Sequence, residues 1–329
     1  ESGIYRHTTT GTMNYYRLSI EVMLHLLNSN GSLGVICPAT LFADLTATPL
    51  RRHLLLENTV QRIRLLPESF RIFNGITQAT VIWHLRKGSR TTSFKYYWQN
   101  RSTILNMANI KKCFPENLEV PAISSIAWGL LRKLSRRQTL GSIEELRNRR
   151  GEVDLTLDRH LVTKTKTEKQ LVRGKMLGDV IRMGEITEYV DFTRLKETKS
   201  DEYFRYDFDR VRLVGPQISN MAKSQRLKFV KLNGPYVLAN SCNYISTRGD
   251  RKQLAKLLFL LNSKLLDWRF KATSTNNHIN NYEIDQLPII ELEKITPEML
   301  RLKGADKEEC VCNLYDLNQK EKRYICDLN

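Results

Sequence analysis

Hydrophobic residues recur at helical spacing near the beginning of the chain. Within residues 13–27, Tyr16, Ile20 and Leu24 lie about one turn apart, which predicts an amphipathic helix. Residues 32–38 then form a short apolar run without alternation, a pattern typical of a strand buried on both faces of a parallel sheet. The same criteria predict a helix over 48–56 and strands over 60–66, 78–85 and 94–98. This order of elements predicts the second half of a doubly wound α/β domain.

The pattern changes after residue 89. Residues 100–122 carry turn and loop residues, and a helix with a basic outer face is predicted over 124–135. The strongest helical pattern covers 251–271, where Asn262 and Ser263 predict a break into two helices. Further predicted elements are short strands at 211–214 and 236–240 and one or two short helices in the last forty residues. This part of the chain is therefore predicted to be α+β.

The charge of the chain narrows the class of partner. The 329 residues include 52 Lys and Arg against 35 Asp and Glu, a formal net charge of +17. Residues 51–150 hold 19 of these basic residues and only 6 acidic ones. A positive field of this kind attracts polyanions and releases counterions from a nucleic-acid backbone, so we predict a nucleic-acid partner. The alternative is a solvated basic surface; an anionic membrane fits less well, because aromatic residues do not gather on one face of a basic helix.

Other classes are disfavoured by what the sequence lacks. It has no apolar stretch of membrane-spanning length and does not begin with a secretory signal, so we expect a cytoplasmic protein without a membrane partner. Cys310, Cys312 and Cys326 cluster near the end without a C-x-x-C pair or a neighbouring His, so reduced thiols are expected rather than zinc ligands. The first residue is Glu1 rather than Met, which suggests a fragment.

Most catalytic motifs are also missing. The sequence contains no G-x-G-x-x-G, no phosphate-binding P-loop, no G-x-S-x-G and no H-x-x-x-H. A Glu-x-Lys occurs at 197–199, with Asp179 and Asp191 upstream, as in metal-dependent nucleases that hold carboxylates on adjacent strands. Its surroundings predict a solvated charged loop, so we predict no metal site.

Three blocks carry a resemblance to a known family. They cover residues 30–42, residues 70–82, and residues 260–266 together with 276–289. On these blocks the chain, from about residue 4 to 292, resembles the adenine-specific DNA methyltransferases of the N6-amino class with a TaqI-like C-terminal specificity domain. The closest likeness is to modification enzymes of type II restriction systems, of the type IIS and type IIG kinds.

The resemblance implies an architecture and an activity. Residues 1–105 would be the C-terminal part of a Rossmann-like methyltransferase domain, 106–292 an α+β target-recognition domain, and 293–329 a helical tail. The parent protein would methylate adenine N6 at a specific site in double-stranded DNA, with S-adenosylmethionine as cofactor and a cognate restriction endonuclease as an expected partner. The family's Gly-rich cofactor segment and its Asn/Asp-Pro-Pro-aromatic catalytic loop do not occur here. We therefore expect a missing N-terminal half to supply both, and no catalytic or cofactor-binding residue in this chain.

The resemblance also suggests roles for single residues. Phe73 matches the aromatic residue that packs against the flipped target base, and Asn74 and Gly75 would shape its loop; the alternative is that Phe73 is a core residue at a strand edge. In the Asn-rich segment we favour structural roles for most asparagines, since Asn caps helices and tolerates turns. We predict that Asn276 and Asn277 contact DNA, because the Asn side chain can form two hydrogen bonds with adenine in the major groove.

Phosphate contacts are predicted for basic residues that occur in bunches. These are Arg132, Lys133, Arg136, Arg137, Arg149, Arg150, Lys223, Arg226 and Lys228. Two other functions stay open. A non-catalytic DNA-specificity subunit is disfavoured by the methyltransferase-like segment at 13–85, and a restriction-nuclease subunit would require two carboxylates and a lysine on adjacent strands.

Overall fold

The chain forms two compact units. The computed structural model describes residues 3–9, 13–67, 70, 72–75, 78–99, 101–274 and 277–327. The first unit is Glu1–Arg136 and the second is Arg137–Asn329. The assignment of residues 1–105, 106–292 and 293–329 to three functional domains remains a prediction.

The first unit combines a sheet with four helices among its described residues. Its elements are α1 (Tyr15–Leu26), β1 (Ser32–Pro38), α2 (Thr48–Leu56), β2 (Thr59–Leu66), β3 (Thr80–Arg86), β4 (Ser93–Trp98), β5 (Arg101–Asn106), α3 (Met107–Cys113) and α4 (Ser125–Leu134). The predicted helices and strands of this region are confirmed. The predicted loop over 100–122 is wrong, since β5 and α3 lie within it. The side chain of Asn106 caps α3 by accepting a hydrogen bond from the Ala108 N–H at 2.8 Å.

The strands of the first unit form a mixed sheet in the order β1-β3-β2-β4-β5. β2 and β4 are parallel, and the other neighbouring pairs are antiparallel. The expectation that β1 is buried on both faces of a parallel sheet is wrong: β1 is antiparallel to β3, and Ile36 is 41% exposed. An unalternating apolar run also suits a strand with one open face, which is how β1 is used. The mixed α/β class is confirmed, whereas the larger Rossmann-like sheet remains a prediction.

The second unit combines short strands with helices. Its elements are β6 (Gln138–Thr139), β7 (Leu146–Arg150), β8 (Val162–Thr163), β9 (Leu171–Val172), β10 (Tyr189–Val190), α5 (Phe192–Thr198), α6 (Asp201–Tyr206), β11 (Arg212–Pro216), β12 (Val230–Leu232), β13 (Val237–Leu238), β14 (Cys242–Thr247), α7 (Lys252–Leu261), α8 (Lys264–Thr273), α9 (Asn281–Asp285), β15 (Pro288–Ile289), α10 (Gly304–Leu314) and α11 (Gln319–Cys326). The break at Asn262 and Ser263 is confirmed, and the Ser263 hydroxyl accepts a hydrogen bond from the Leu266 N–H at the start of α8. The short helices predicted near the end are confirmed by α10 and α11.

The largest sheet of the second unit has the order β12-β11-β14-β7, with antiparallel neighbours throughout. A buried ion pair fixes its interior. The fully buried guanidinium of Arg212 on β11 lies 3.0 Å from Glu152, and the Tyr203 hydroxyl donates to the same carboxylate oxygen at 2.8 Å. Because a buried charge is tolerated only with its partners in place, this pair constrains how α6 and β11 pack together.

The same unit holds a second buried ion pair on its edge strand. The Arg147 guanidinium donates two hydrogen bonds to Asp207, at 3.2 and 3.1 Å, and the Tyr244 hydroxyl donates to that carboxylate at 3.1 Å. Arg147 lies on β7 and Tyr244 on β14, so the pair ties the edge strand to the sheet interior. The exposed end of β7, described below, therefore has a rigid base.

Gly151, which follows β7, provides a test of this packing. A Cβ atom at Gly151 would overlap the backbone carbonyl oxygen of Ala239. We predict that Gly151→Ala lowers the free energy of unfolding by about 3 kcal/mol, the scale of overpacking in a filled site. Gly184→Ala is the matched control, because no other group lies near the Cβ it would introduce. Denaturant unfolding of both variants measures the difference, and equal stabilities would contradict the described packing.

Candidate nucleic-acid interface

Two loops of the second unit run side by side at its surface. We call residues 217–223 and 277–280 the paired loops. Ser219 N–H donates to the Asn277 carbonyl at 2.9 Å, and Ile279 N–H donates to the Gln217 carbonyl at 2.8 Å. The Asn277 side chain adds a third bond, since its Oδ1 accepts from Met221 N–H at 2.9 Å. These three bonds hold two segments about sixty residues apart in sequence as one surface.

The paired loops are also fixed to the sheet beneath them. Gln217 directly follows β11, and its N–H donates to the Ser241 carbonyl at 2.8 Å. The buried amide of Asn243 on β14 donates to the Ile279 carbonyl at 2.6 Å. Both anchor groups lie at the beginning of β14, so each loop is hydrogen-bonded to the sheet.

The outward-facing side chains of the paired loops are varied in chemistry. Ile218 is 56% exposed and Met221 is 48% exposed. Lys223 and His278 are exposed beside them, and the Gln217 amide nitrogen lies 3.2 Å from His278 Nδ1. Cations are the groups that contact phosphates in protein–nucleic acid complexes, and amide and apolar side chains are among those that contact bases.

Two arginines lie at the neighbouring end of β7. Arg149 and Arg150 are exposed, and Arg150 is the cross-strand partner of Asn243, which anchors the paired loops. The Arg150 Nε–H donates to the Asn240 carbonyl at 2.8 Å, which orients the guanidinium but leaves it at the surface. The sheet therefore places Arg150 beside the strand residue that anchors the paired loops, whereas Arg149, which is opposite Tyr244, points to the other face of the sheet.

An amide bridge joins β7 to the helix that follows the paired loops. The Asn148 side chain donates to the Asn281 carbonyl and to Asp285 Oδ1, and the Asn281 amide donates back to Asn148 Oδ1. Burial raises the pKa of Asp285, opposed by the Asn148 hydrogen bond and by the charge of Arg149. Asn280 forms a capping box with Glu283 at the start of α9. The structural role expected for most of these asparagines is thus seen at Asn280 and Asn281.

Four of the predicted DNA contacts lie in this part of the second unit. Arg149, Arg150, Lys223 and Asn277 lie on the paired loops or on the strand that supports them. Asn277 has a structural bond as well, so its side-chain oxygen is already engaged. Asn276 lies outside the described residues.

The prediction that Arg226 contacts a DNA phosphate is wrong. Its side chain is 2% exposed, its guanidinium lies 5.1 Å from the centre of the Phe270 ring, and Nη1 donates to the Ser274 hydroxyl at 2.9 Å. Burial lowers the pKa of this guanidinium, opposed by the charges of Glu283 and Asp267. Arg226 therefore packs inside the unit, although its local sequence does not distinguish it from exposed basic neighbours such as Lys223.

Two other predicted contacts are engaged in surface ion pairs. Arg137 pairs with Asp316, and Lys228 pairs with Asp179. Exposed ion pairs of this kind are weak and can exchange partners, so both cations can still bind a phosphate.

The remaining predicted cations belong to the first unit. Arg132 and Arg136 are exposed at the end of α4, and Lys133 is half-buried beside them. Arg51, from the basic window of the sequence, is instead fully buried and donates to the backbone carbonyls of Leu41 and Asp44; burial lowers its pKa to about 10. The number of cations at the surface is thus smaller than the number of Lys and Arg residues in the sequence.

Phe73 lies at the surface of the first unit, between β2 and β3. It is 47% exposed, and Phe70 and Ile72 beside it are also exposed. The alternative that Phe73 is a core residue is therefore wrong. Asn74 and Gly75 form the turn that follows, with Gly75 at φ +78°, a value that favours glycine.

The nuclease-like triplet does not lie in a nuclease-like setting. Glu197 and Thr198 lie in α5, not in the loop that was predicted and not on adjacent strands. Asp191 caps that helix by accepting from the N–H groups of Thr193 and Arg194, and Asp179 pairs with Lys228 as above. Within the described ranges, no three His, Cys, Asp or Glu side chains converge so as to hold a metal ion, and no helix is long and apolar enough to cross a bilayer.

Comparisons with known proteins bear on the fold. No family model and no curated protein sequence matches the chain. Among solved structures, it is similar to the type IIL restriction-modification enzyme MmeI in complex with DNA, with a TM-score of 0.55 and 10% identity over 99% of this chain and 53% of that chain. It is also similar to the type IIG restriction endonuclease BpuSI, with a TM-score of 0.39 and 12% identity over 94% of this chain and 45% of that chain.

A modification subunit of a putative type I restriction enzyme from Vibrio vulnificus YJ016 matches 26% of this chain and 19% of its own, with a TM-score of 0.24 and 21% identity. At these identities the similarity to MmeI establishes a shared fold, and the other two are too weak to carry an argument. The chain spans about half the length of MmeI and of BpuSI.

Proposed function

We propose that this chain is the DNA-binding and target-recognition portion of a site-specific adenine-N6 DNA methyltransferase in a restriction-modification system. The observation that carries the proposal is the surface built from the paired loops and the end of β7, where exposed cations, Lys223 and Arg150 among them, occur together with amide, imidazole and apolar side chains. Cations fix a protein on the phosphates, and uncharged polar and apolar groups read bases. The fold shared with a DNA-bound restriction-modification enzyme supports this reading.

The first unit would join a catalytic half that this sequence does not contain. Among the described residues, β1 pairs with β3 alone, so the other edge of β1 offers unpaired N–H and C=O groups to a further strand. S-adenosylmethionine would be held by a Gly-rich segment, which the sequence lacks, and we assign no residue of this chain to it. The transfer of the methyl group belongs to the complete parent protein, acting in the cytoplasm beside a cognate restriction endonuclease.

Phe73 would serve the extrusion of the target adenine. The amino group of a stacked adenine cannot be reached inside a duplex, so an enzyme that modifies it must rotate the nucleotide out and hold the base. An exposed aromatic side chain on a turn, as at Phe73, can stack on such a base. Within this proposal its role is to position the base, and it takes no part in bond formation.

The salt dependence of duplex binding tests the phosphate contacts. We predict that the logarithm of the association constant falls linearly with the logarithm of salt concentration, and that Arg149→Ala/Arg150→Ala reduces the slope by about 2. Arg301→Ala/Lys303→Ala is the control, since it removes the same charge from exposed positions outside the proposed surface. Fluorescence anisotropy across a salt series measures both. A slope equally reduced in the two variants would contradict the placement of the surface.

Methylation by the full-length parent tests the role of Phe73. We predict that Phe73→Ala lowers the methylation rate about 10- to 100-fold, the scale of one lost base-stacking contact, while duplex affinity is retained. The control is Tyr15→Ala, which removes another exposed aromatic side chain. Incorporation of a labelled methyl group is the readout. A parent that binds its site but never methylates it would favour the specificity-subunit alternative.

A further inference from the structure

The Gln217 and His278 side chains form a pair at the surface of the paired loops. The amide nitrogen of Gln217 lies 3.2 Å from Nδ1 of His278. An amide nitrogen can only donate, so the ring nitrogen accepts, and His278 carries its lone pair at Nδ1. The amide still has its carbonyl oxygen and a second N–H for another partner.

The backbone beneath this pair is fixed at both residues. Ile218 and His278 form an antiparallel bridge, flanked by the Ser219–Asn277 and Ile279–Gln217 hydrogen bonds. The Gln217 N–H is bonded to the Ser241 carbonyl at the start of β14. A long polar side chain is usually free to rotate, but here the backbone and the imidazole restrict it before any ligand arrives. Restriction of this kind reduces the entropy lost on binding.

The side chains around Gln217 and His278 are of the kinds that contact a base-pair edge and the neighbouring phosphate. Ile218 and Met221 are large, apolar and exposed on the same loop, where they could contact a thymine methyl group and exclude water. Arg150 lies two strands away from Gln217's strand, about 10 Å at the usual strand spacing, which is close to the width of the major groove. A cation at that distance can hold a phosphate while the amide reaches a base.

We propose that Gln217, positioned by His278, reads an adenine in the major groove. The amide oxygen would accept from adenine N6–H and the amide N–H would donate to N7, the bidentate pattern that only adenine offers. Ile218 or Met221 would contact the methyl group of the paired thymine. The inference rests on the proposed function and deepens it by naming the residue that selects one base pair.

The test is selection from a randomised duplex library with the 329-residue chain. The wild-type chain is expected to select a site, and Gln217→Ala to lose the preference for adenine at one base pair by about 5- to 150-fold, the range of one bidentate contact. Affinity for an unrelated duplex should be unchanged. Lys223→Ala is the contrasting variant, which should weaken all duplexes alike.

Two further variants separate reading from folding. Gln217→Glu keeps the size of the side chain, but a carboxylate cannot donate a hydrogen bond. This variant is expected to shift the preference at that base pair from adenine to cytosine, because the carboxylate can accept a hydrogen bond from cytosine N4–H. His278→Ala is expected to weaken the preference at the same base pair, and Gln217→Ala/His278→Ala to be no worse than Gln217→Ala alone. His278→Asn, which restores an acceptor, is expected to recover part of the preference.

The outcomes distinguish the inference from the function on which it rests. If the wild-type chain selects a site and Gln217→Ala selects the same site with the same preferences, the inference is wrong and the proposed function stands. Salt-dependent binding without any base preference in the wild-type chain overturns the inference and also the target-recognition part of the proposed function. If the wild-type chain binds no duplex at any salt concentration, the proposed function itself fails.

Discussion

The hydrogen bonds between residues 277–279 and the loop after β11 are the constraint on which the proposed DNA-binding surface depends. They are few, but each joins backbone or amide groups of segments far apart in sequence. Beneath them, Asn243 links the loops to β14, and the ion pair of Arg147 with Asp207 holds β7 against the same strand. A rigid scaffold that positions exposed loops is the usual arrangement of a recognition site. Without these bonds, the outward-facing groups would be separate flexible side chains.

Charge is divided between two purposes in this protein. Arg51, Arg212 and Arg226 are buried and bind backbone carbonyls, a carboxylate or a hydroxyl, so they serve the fold. Arg149 and Arg150 are exposed on a supported strand and remain available to a polyanion. The net charge of +17 therefore indicates the class of partner, a polyanion. The position of each cation in the fold decides whether that cation can contact such a partner.

Local patterns in the sequence were enough for most of the helices and strands, because periodicity and caps are properties of neighbouring residues. The break between α7 and α8 follows from Asn262 and Ser263, and the structure has it there. The prediction that β1 is buried on both faces is wrong because an apolar run without alternation does not show whether the second face of the strand is covered. β5 and α3 were missed because β5 is largely exposed and α3 has only seven residues. In the candidate site, the basic residues were visible, but the pairing of Gln217 with His278 was not, since it depends on contacts across about sixty residues.

We propose that one surface of the second unit contacts a DNA duplex. Amide hydrogen exchange of the 329-residue chain, with and without duplex DNA at low salt, tests this directly. We expect protection to increase over residues 217–223 and 277–281 and at the end of β7, with little change in α10 and α11. Protection that increases only elsewhere, or nowhere at all while the duplex is bound, would contradict the account.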